Sequence, residues 1–257
     1  MTHYTTSQVA KLVDLHPNTI RRYEEWGLIP KPERAENGYR IFTDYHVELI
    51  RLARVAFQIE LLQSGLRRKM WAVIRALANY NFDLAKQNMT DYQLAVEQEI
   101  IHALESIEIV EELIHRSGHQ HDTSKSLTRS ETAAYLGVTI DALRNWELNG
   151  LLTVKRSANG YRIYNEEDLK RLKIIRTLRA ANYSLEAILR LLLTMDQQRV
   201  PSIKELLDTP KPDEDLIAVC DQLLTSLGKA KENAEIVKSK IDRLETQYLK
   251  IKEKESP

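Results

Sequence analysis

The apolar positions of this chain follow one pattern that is laid down twice. After Thr5 come Val9, Leu12 and Val13 at helical spacing, and Thr5 with Gln8 fits a capping box. A tight break follows. His16-Pro17 opens a second short helix, because proline is favoured at the first helical position, and Ile20 and Tyr23 lie three apart on its inner face. Gly27 supplies the left-handed residue that ends it. Asn37-Gly38, followed by the alternating Tyr39-Arg40-Ile41-Phe42, predicts a hairpin. A third helix is expected from Asp44, with Val47, Ile50 and Val55 inward, and a fourth over 63–80 with Leu66, Met70, Val73, Ile74 and Leu77 inward.

The same order returns from Thr128, offset by 123 residues as far as Leu152 and by 122 from Arg156 onward. Thr128 with Glu131 is the capping box, Ala133, Leu136 and Val138 the first apolar set, Thr139 the cap of the second helix, and Leu143 and Trp146 its inner face. Gly150 ends that helix, Asn159-Gly160 marks the hairpin, a third helix begins near Glu166, and a fourth runs from Ser184 to about Asp196. Two short helices joined by a tight turn form a helix-turn-helix, and the hairpin beside it is a wing.

Elsewhere the period becomes seven. Val96, Ile100, Ala103, Ile107, Val110 and Ile114 step by fours and threes, as do Leu223, Leu227, Ala230, Ala234, Val237, Ile241, Leu244, Tyr248 and Ile251. These patterns divide the chain into a first winged helix-turn-helix domain over 1–80, a pairing helix over 81–116, a polar linker over 117–126, a second winged domain over 127–196, a proline-containing connector over 197–212 and a C-terminal coiled-coil helix over 213–257. The expected fold is mainly α: two winged helix-turn-helix domains, each followed by a long coiled-coil helix. The two heptad helices can pair with each other in one chain, giving a pseudo-dimer, or each with its counterpart in a second chain, giving a homodimer.

Composition narrows the function class. The 257 residues are 43% hydrophobic and 29% charged, with 8 Gly and 7 Pro, which suits a helix-rich globular chain with few long loops. No apolar run is long enough to span a membrane, the first residues carry no signal peptide, and the single Cys220 excludes an internal disulfide. A cytoplasmic, nucleoid-associated protein is expected. Net charge is zero, which argues against a general nucleic-acid coat. It leaves room for a site-specific binder with basic residues gathered locally, as in Arg21-Arg22, Arg67-Arg68-Lys69, Lys155-Arg156, and Lys170-Arg171 with Lys173, Arg176 and Arg179. A solvated helix face gives the same charge runs.

Arg21, Tyr23, Glu24, Gly27, Leu28, Pro32, Arg34, Gly38, Tyr39 and Arg40 resemble the DNA-binding domain of MerR-family transcription regulators of bacteria. So do Arg144, Glu147, Gly150, Leu151, Arg156, Gly160, Tyr161, Arg162 and Tyr164. That family pairs an Arg-x-Tyr-Glu…Gly-Leu recognition helix with a Gly-Tyr-Arg-x-Tyr wing. The second copy departs in having Trp146 for the tyrosine and in losing the Pro-x-Arg of the wing. The resemblance implies double-stranded DNA as partner, RNA polymerase at a promoter, an antiparallel pairing helix, and backbone phosphate contacts from Arg21, Arg144, Tyr23, Arg34, Arg40, Arg156 and Arg162, with Tyr39 and Tyr161 on the wings. In a winged helix-turn-helix the start of the second helix faces the base edges, which nominates His16, Asn18, Thr19 and Arg22, with Thr139, Asp141, Ala142 and Asn145 as counterparts. Tyr23 and Trp146 serve equally as core residues, and Arg40 and Arg162 as braces of the hairpin.

No phosphate-binding glycine loop, paired metal-ligand motif or nucleophile elbow occurs, so an enzyme is not expected, nor a cofactor. His115, His119 and His121 beside Asp122 are the one histidine cluster, but Gly118 interrupts them. Trp71, Tyr80, Phe82 and Tyr92 either line a pocket or belong to the core. The competing readings are a coiled-coil adaptor whose winged domains bind protein, and a DNA-bending, excisionase-like factor.

Overall fold

The structure, a computed structural model, describes residues 2–58, 65–115, 126–157, 159–196, 202–208 and 222–255. Most of the expected linker and connector, the start of the segment expected from 213, and His119, His121 and Cys220 lie outside the described residues, as does the side chain of Ile251. Eleven helices and four strands occur among the described residues. They form two compact units, Met1–Gln98 with Gly228–Pro257, and Glu99–Leu227. No described helix is long and apolar enough to cross a membrane.

In the first unit, α1 (Thr6–Leu12) is capped by Thr5, whose backbone N–H and Gln8 complete the capping box. Val9 and Val13 are buried, but Leu12 points outward, because only two of the three apolar positions fit the narrow inner face of a helix this short. α2 (Pro17–Glu25) follows a turn in which Asp14 has a positive φ. Gly27, at φ 65°, turns the chain back so that Leu28 and Ile29 enter the core. β1 (Glu33–Arg34) and β2 (Arg40–Ile41) form the antiparallel hairpin, and Tyr4 bridges to Phe42 beyond it. α3 (Asp44–Ala56) and α4 (Leu66–Ala78) close the domain, burying Val47, Leu49, Ile50, Leu52, Met70, Val73, Ile74 and Leu77. Val55 is only half-buried, and Leu49 and Leu52 take the inner positions beside Ile50.

The same unit holds the start of α5 (Phe82–His115) and, from Gly228, α11 (Leu223–Glu255). Lys86 Nζ meets Glu245 at 2.5 Å, Gln93 Nε2 meets Glu235 at 2.6 Å, and Lys231 Nζ meets Glu97 at 3.2 Å. Positions rise along one helix as they fall along the other, so the two run antiparallel. Beneath this polar ladder Val96, Ala230, Ala234, Val237, Ile241 and Leu244 are buried, each large aliphatic contributing about 1.5–3 kcal/mol. Tyr248 is half-buried in a cluster with Tyr45, Tyr80 and Phe82, the Tyr80–Tyr248 rings stacking at 4.8 Å. Trp71 belongs to a separate group with Trp26 and Phe57, and Tyr92 is buried, so the four aromatics suspected of lining one pocket do not gather.

The second unit repeats the plan. α6 (Arg129–Leu136), with its Thr128–Glu131 capping box, precedes α7 (Ile140–Leu148), capped by Thr139. β3 (Leu127–Thr128) pairs with β4 (Ile163–Tyr164), a pairing not expected from the sequence, while the hairpin itself carries the isolated bridge Arg156–Arg162, with the Ser157 N–H donating to the Tyr161 carbonyl at 2.8 Å and the Ile163 N–H to that of Lys155 at 3.1 Å. α8 (Glu166–Ala180), α9 (Leu185–Asp196) and the short α10 (Ile203–Asp208) follow. Tyr183 is fully buried, with its hydroxyl 3.4 Å from the carbonyl of Ala103 on the later part of α5, and Asn182 donates to Glu99 at 3.1 Å. Ala103, Ile107 and Val110 are buried along that stretch, whereas Ile100 and Ile114 are half-buried. Asp208 accepts from the Thr225 backbone and hydroxyl at the start of α11, where a carboxylate suits the positive end of the helix dipole.

Each unit therefore combines one winged domain with part of the helix that follows the other winged domain in sequence.

Candidate nucleic-acid interface

The N-termini of α2 and α7 are built by different caps. In α2 the backbone N–H of Asn18 donates to His16 Nδ1 at 3.2 Å. Pro17 needs no such partner, and its fixed φ pre-sets the first turn. Arg21 donates to Asn18 Oδ1 at 3.0 Å, and Arg22 is exposed with no partner among the described residues. In α7 the Thr139 hydroxyl accepts from the Ala142 N–H at 3.1 Å. Ile140, at the place of Pro17, is 47% exposed. Asp141, Arg144 and Asn145 are exposed, and Asn145 Oδ1 accepts from Asn149 at 2.9 Å.

Each recognition helix is locked to its wing through a carboxylate. Arg40 Nε meets Glu24 at 2.5 Å, and Arg162 Nε meets Glu147 at 2.6 Å. Glu147 also accepts from the Tyr164 hydroxyl at 2.7 Å and from Arg129 at 3.3 Å. Burial first, and then the hydrogen bond to this carboxylate, push the Tyr164 phenol above its ordinary range and keep it a neutral donor. Phe42 stands at the position of Tyr164 and Thr6 at that of Arg129, so Glu24 lacks both of these extra donors. The turn of each wing is also tied down: Arg34 donates to the Gly38 carbonyl at 3.0 Å and Arg156 to that of Gly160 at 3.4 Å. Gly38 and Gly160 share a φ of 79°, which an L side chain resists. Tyr39 and Tyr161 beside them stand out from the surface, 72% and 74% exposed.

His16, Asn18, Thr19, Arg21 and Arg22 lie on the first turns of α2, and Thr139, Asp141, Arg144 and Asn145 on those of α7. Arg34, Tyr39, Arg156 and Tyr161 are exposed on their wings, whereas Arg40 and Arg162 are partly buried braces. Tyr23 is half-buried, and burial pushes its phenol up against the opposing charge of Arg54. Trp146, at 6% exposure, has its ring in the core, the alternative left open for it in the sequence, whereas Tyr23 at the matching position is only half covered. The sequence reading missed Glu24, Glu147 and Arg129 as the groups that fix the wings; Glu and the wing Arg recur together in both copies, and that recurrence was the available signal. Ile140 was also missed, since an apolar residue at a helix start reads as core. No group of three His, Cys, Asp or Glu side chains that would suit a metal occurs among the described residues.

Residues 5–42 match the MerR family regulatory protein family, and residues 127–194 match the MerR HTH family regulatory protein family. The HTH-type transcriptional regulator CueR of Vibrio cholerae is 33% identical over 101 residues, covering 36% of this chain and 73% of that protein. CueR of Escherichia coli O157:H7 is 47% identical over 53 residues, 21% of this chain and 39% of that protein. A probable heavy metal-dependent transcriptional regulator of Haemophilus influenzae is 39% identical over 71 residues, 27% of this chain and 56% of that protein. No solved structure matches the chain. With a recognition helix and a clamped wing in each unit, and each unit matching the same family, the chain belongs to the MerR family of non-enzymatic, DNA-binding transcriptional regulators and carries two MerR domains.

Proposed function

We propose that this chain is a sequence-specific regulator that grips two half-sites on duplex DNA with its two winged domains, as a pseudo-dimer made within one polypeptide. The observation that carries this reading is the exchange of helices. The first winged domain packs with α11, as where Asn233 reaches the Val55 carbonyl at 3.4 Å, and the second packs with α5 through Tyr183 and Asn182. A helix seam satisfied inside one chain needs no second copy. Two heads linked by stiff helices engage successive major grooves, and a mismatch with straight DNA is taken up by bending or twisting the duplex, at about 1–6 kcal/mol. Promoter distortion of this kind, which brings RNA polymerase into register, is the proposed regulatory act, and the bacterial cytoplasm and nucleoid its location. The boundaries 1–80, 81–116, 117–126, 127–196, 197–212 and 213–257 are the proposed division of labour.

Two measurements test this. Light scattering at micromolar concentration is expected to return the mass of one chain, 29.8 kDa; a dimer mass would exclude the pseudo-dimer. Selection of bound fragments from a random duplex pool at two salt concentrations is expected to enrich one bipartite site. Reporter transcription from that site would then rise on adding the protein; a fall would replace distortion with simple occlusion.

A further inference from the structure

The starts of the two recognition helices expose different hydrogen-bonding groups. On α2 the acceptors are used internally. Because a backbone N–H donates to His16 Nδ1, that nitrogen carries no proton, and the neutral ring's N–H sits on Nε2. Because a guanidinium can only donate, the Asn18 atom facing Arg21 is its oxygen, which leaves the NH2 group unused. Arg22 adds a third donor group. The groups that His16, Asn18 and Arg22 leave unpaired on this turn are therefore donors. Guanine offers two acceptors, O6 and N7, to the major groove, whereas cytosine offers a donor and adenine a mixed edge.

On α7 the equivalent positions differ. Ile140 replaces Pro17 and exposes methyl groups. Asp141 replaces Asn18 with an exposed group that, as a carboxylate, only accepts. Asn145 replaces Arg22, and its oxygen is occupied: the Asn149 nitrogen that donates to it also donates to the Asn145 carbonyl at 2.8 Å, which fixes both amides. A carboxylate repels the two acceptors of guanine and the N7 of adenine, while the cytosine amine donates to it without opposition. Exposed methyls suit the thymine methyl group.

We infer that α2 selects guanine, and that α7 selects thymine beside cytosine and rejects guanine through Asp141. This rests on the DNA-gripping reading above and adds the base chemistry of each half-site. The asymmetry is a specificity device of the repulsive kind, since Asp141 contributes by excluding the wrong base as much as by favouring the right one.

The test is selection from a random duplex pool with the full chain and with three exposed-site variants, Arg22→Ala, Asp141→Asn and Asn18→Asp. The unaltered protein is expected to enrich unlike half-sites, one guanine-rich and one carrying thymine next to cytosine. Arg22→Ala is expected to relax only the guanine-rich half, by about ten- to a hundredfold in preference at one position. Asp141→Asn is expected to move only the other half, from cytosine towards adenine, whose N6 and N7 an amide can bind together. Asn18→Asp gives an independent check by weakening the guanine preference. Two identical half-sites, or Asp141→Asn leaving the second half-site unaltered, would overturn the inference while leaving DNA gripping intact. No enriched sequence at either salt concentration would overturn both.

Discussion

A carboxylate that accepts from three side chains cannot lose its charge without stranding the donors. Glu147→Gln keeps the shape of the side chain but leaves Arg162 and Arg129 partly buried without a counter-charge. The second winged domain is expected to lose about 2–3 kcal/mol, read as a lower urea midpoint, whereas Glu24→Gln, which releases only the pair with Arg40, costs less. His46 sets a second expectation at this scale. Its Nδ1 accepts from the Thr43 N–H at 3.0 Å, and its Nε2 is buried with no hydrogen-bond partner. Burial lowers its pKa, opposed more weakly by the Pro30 carbonyl and the charge of Glu24. The unfolded chain then binds a proton that the folded one refuses, so stability is full above the ordinary histidine pKa of about 6.5 and falls as pH drops through the lowered value. His46→Gln retains an acceptor for the cap and is expected to flatten the decline of the urea midpoint between neutral and mildly acidic pH; an unchanged slope would assign the decline to another group.

At the scale of elements, the pairing of α5 with α11 separates positions one residue apart. Val237 is buried in the seam and Ile236 is exposed. Val237→Asp is expected to cost about 3–5 kcal/mol, with faster hydrogen exchange along Phe82–Gln98, while Ile236→Asp stays within about 0.5 kcal/mol. Equal effects would mean that the seam is not what holds α11. This is also where the sequence proved most legible. Short capped helices, Pro17, Gly27 and Gly150 fixed the elements locally, and the sevenfold rhythm marked the buried face of α11, because these signals depend on neighbours within a turn or two. What stayed hidden depended on residues far apart. The inward side of α1 excludes Leu12 only once α3 packs on it, with Arg51 donating to the Leu12 carbonyl at 3.2 Å and Arg54 to that of Val13. The depth of Trp146 is likewise set by the domain enclosing it, and the β3–β4 pair joins residues 127 and 164, which no local period connects.

For the whole molecule, a net charge of zero means that any grip on DNA comes from a few placed cations and not from an overall field. Removing Arg34 or Arg156, each exposed on its wing, is expected to weaken binding to all sequences alike and to reduce the slope of log affinity against log salt by about 1. A change in base preference instead would make that arginine a reader and not an anchor. The helix exchange that joins each winged domain to the other's helix has a further consequence. In an assembly of two identical chains, one codon change alters both reading heads, and the binding surface stays invariant under a half-turn. Here each winged domain is encoded separately, α2 by one stretch of the sequence and α7 by another, so a single mutation alters one helix while its counterpart stays fixed. If the two heads read unlike half-sites as proposed, the protein is directional along the duplex, and turning its binding site end for end presents it with a different site.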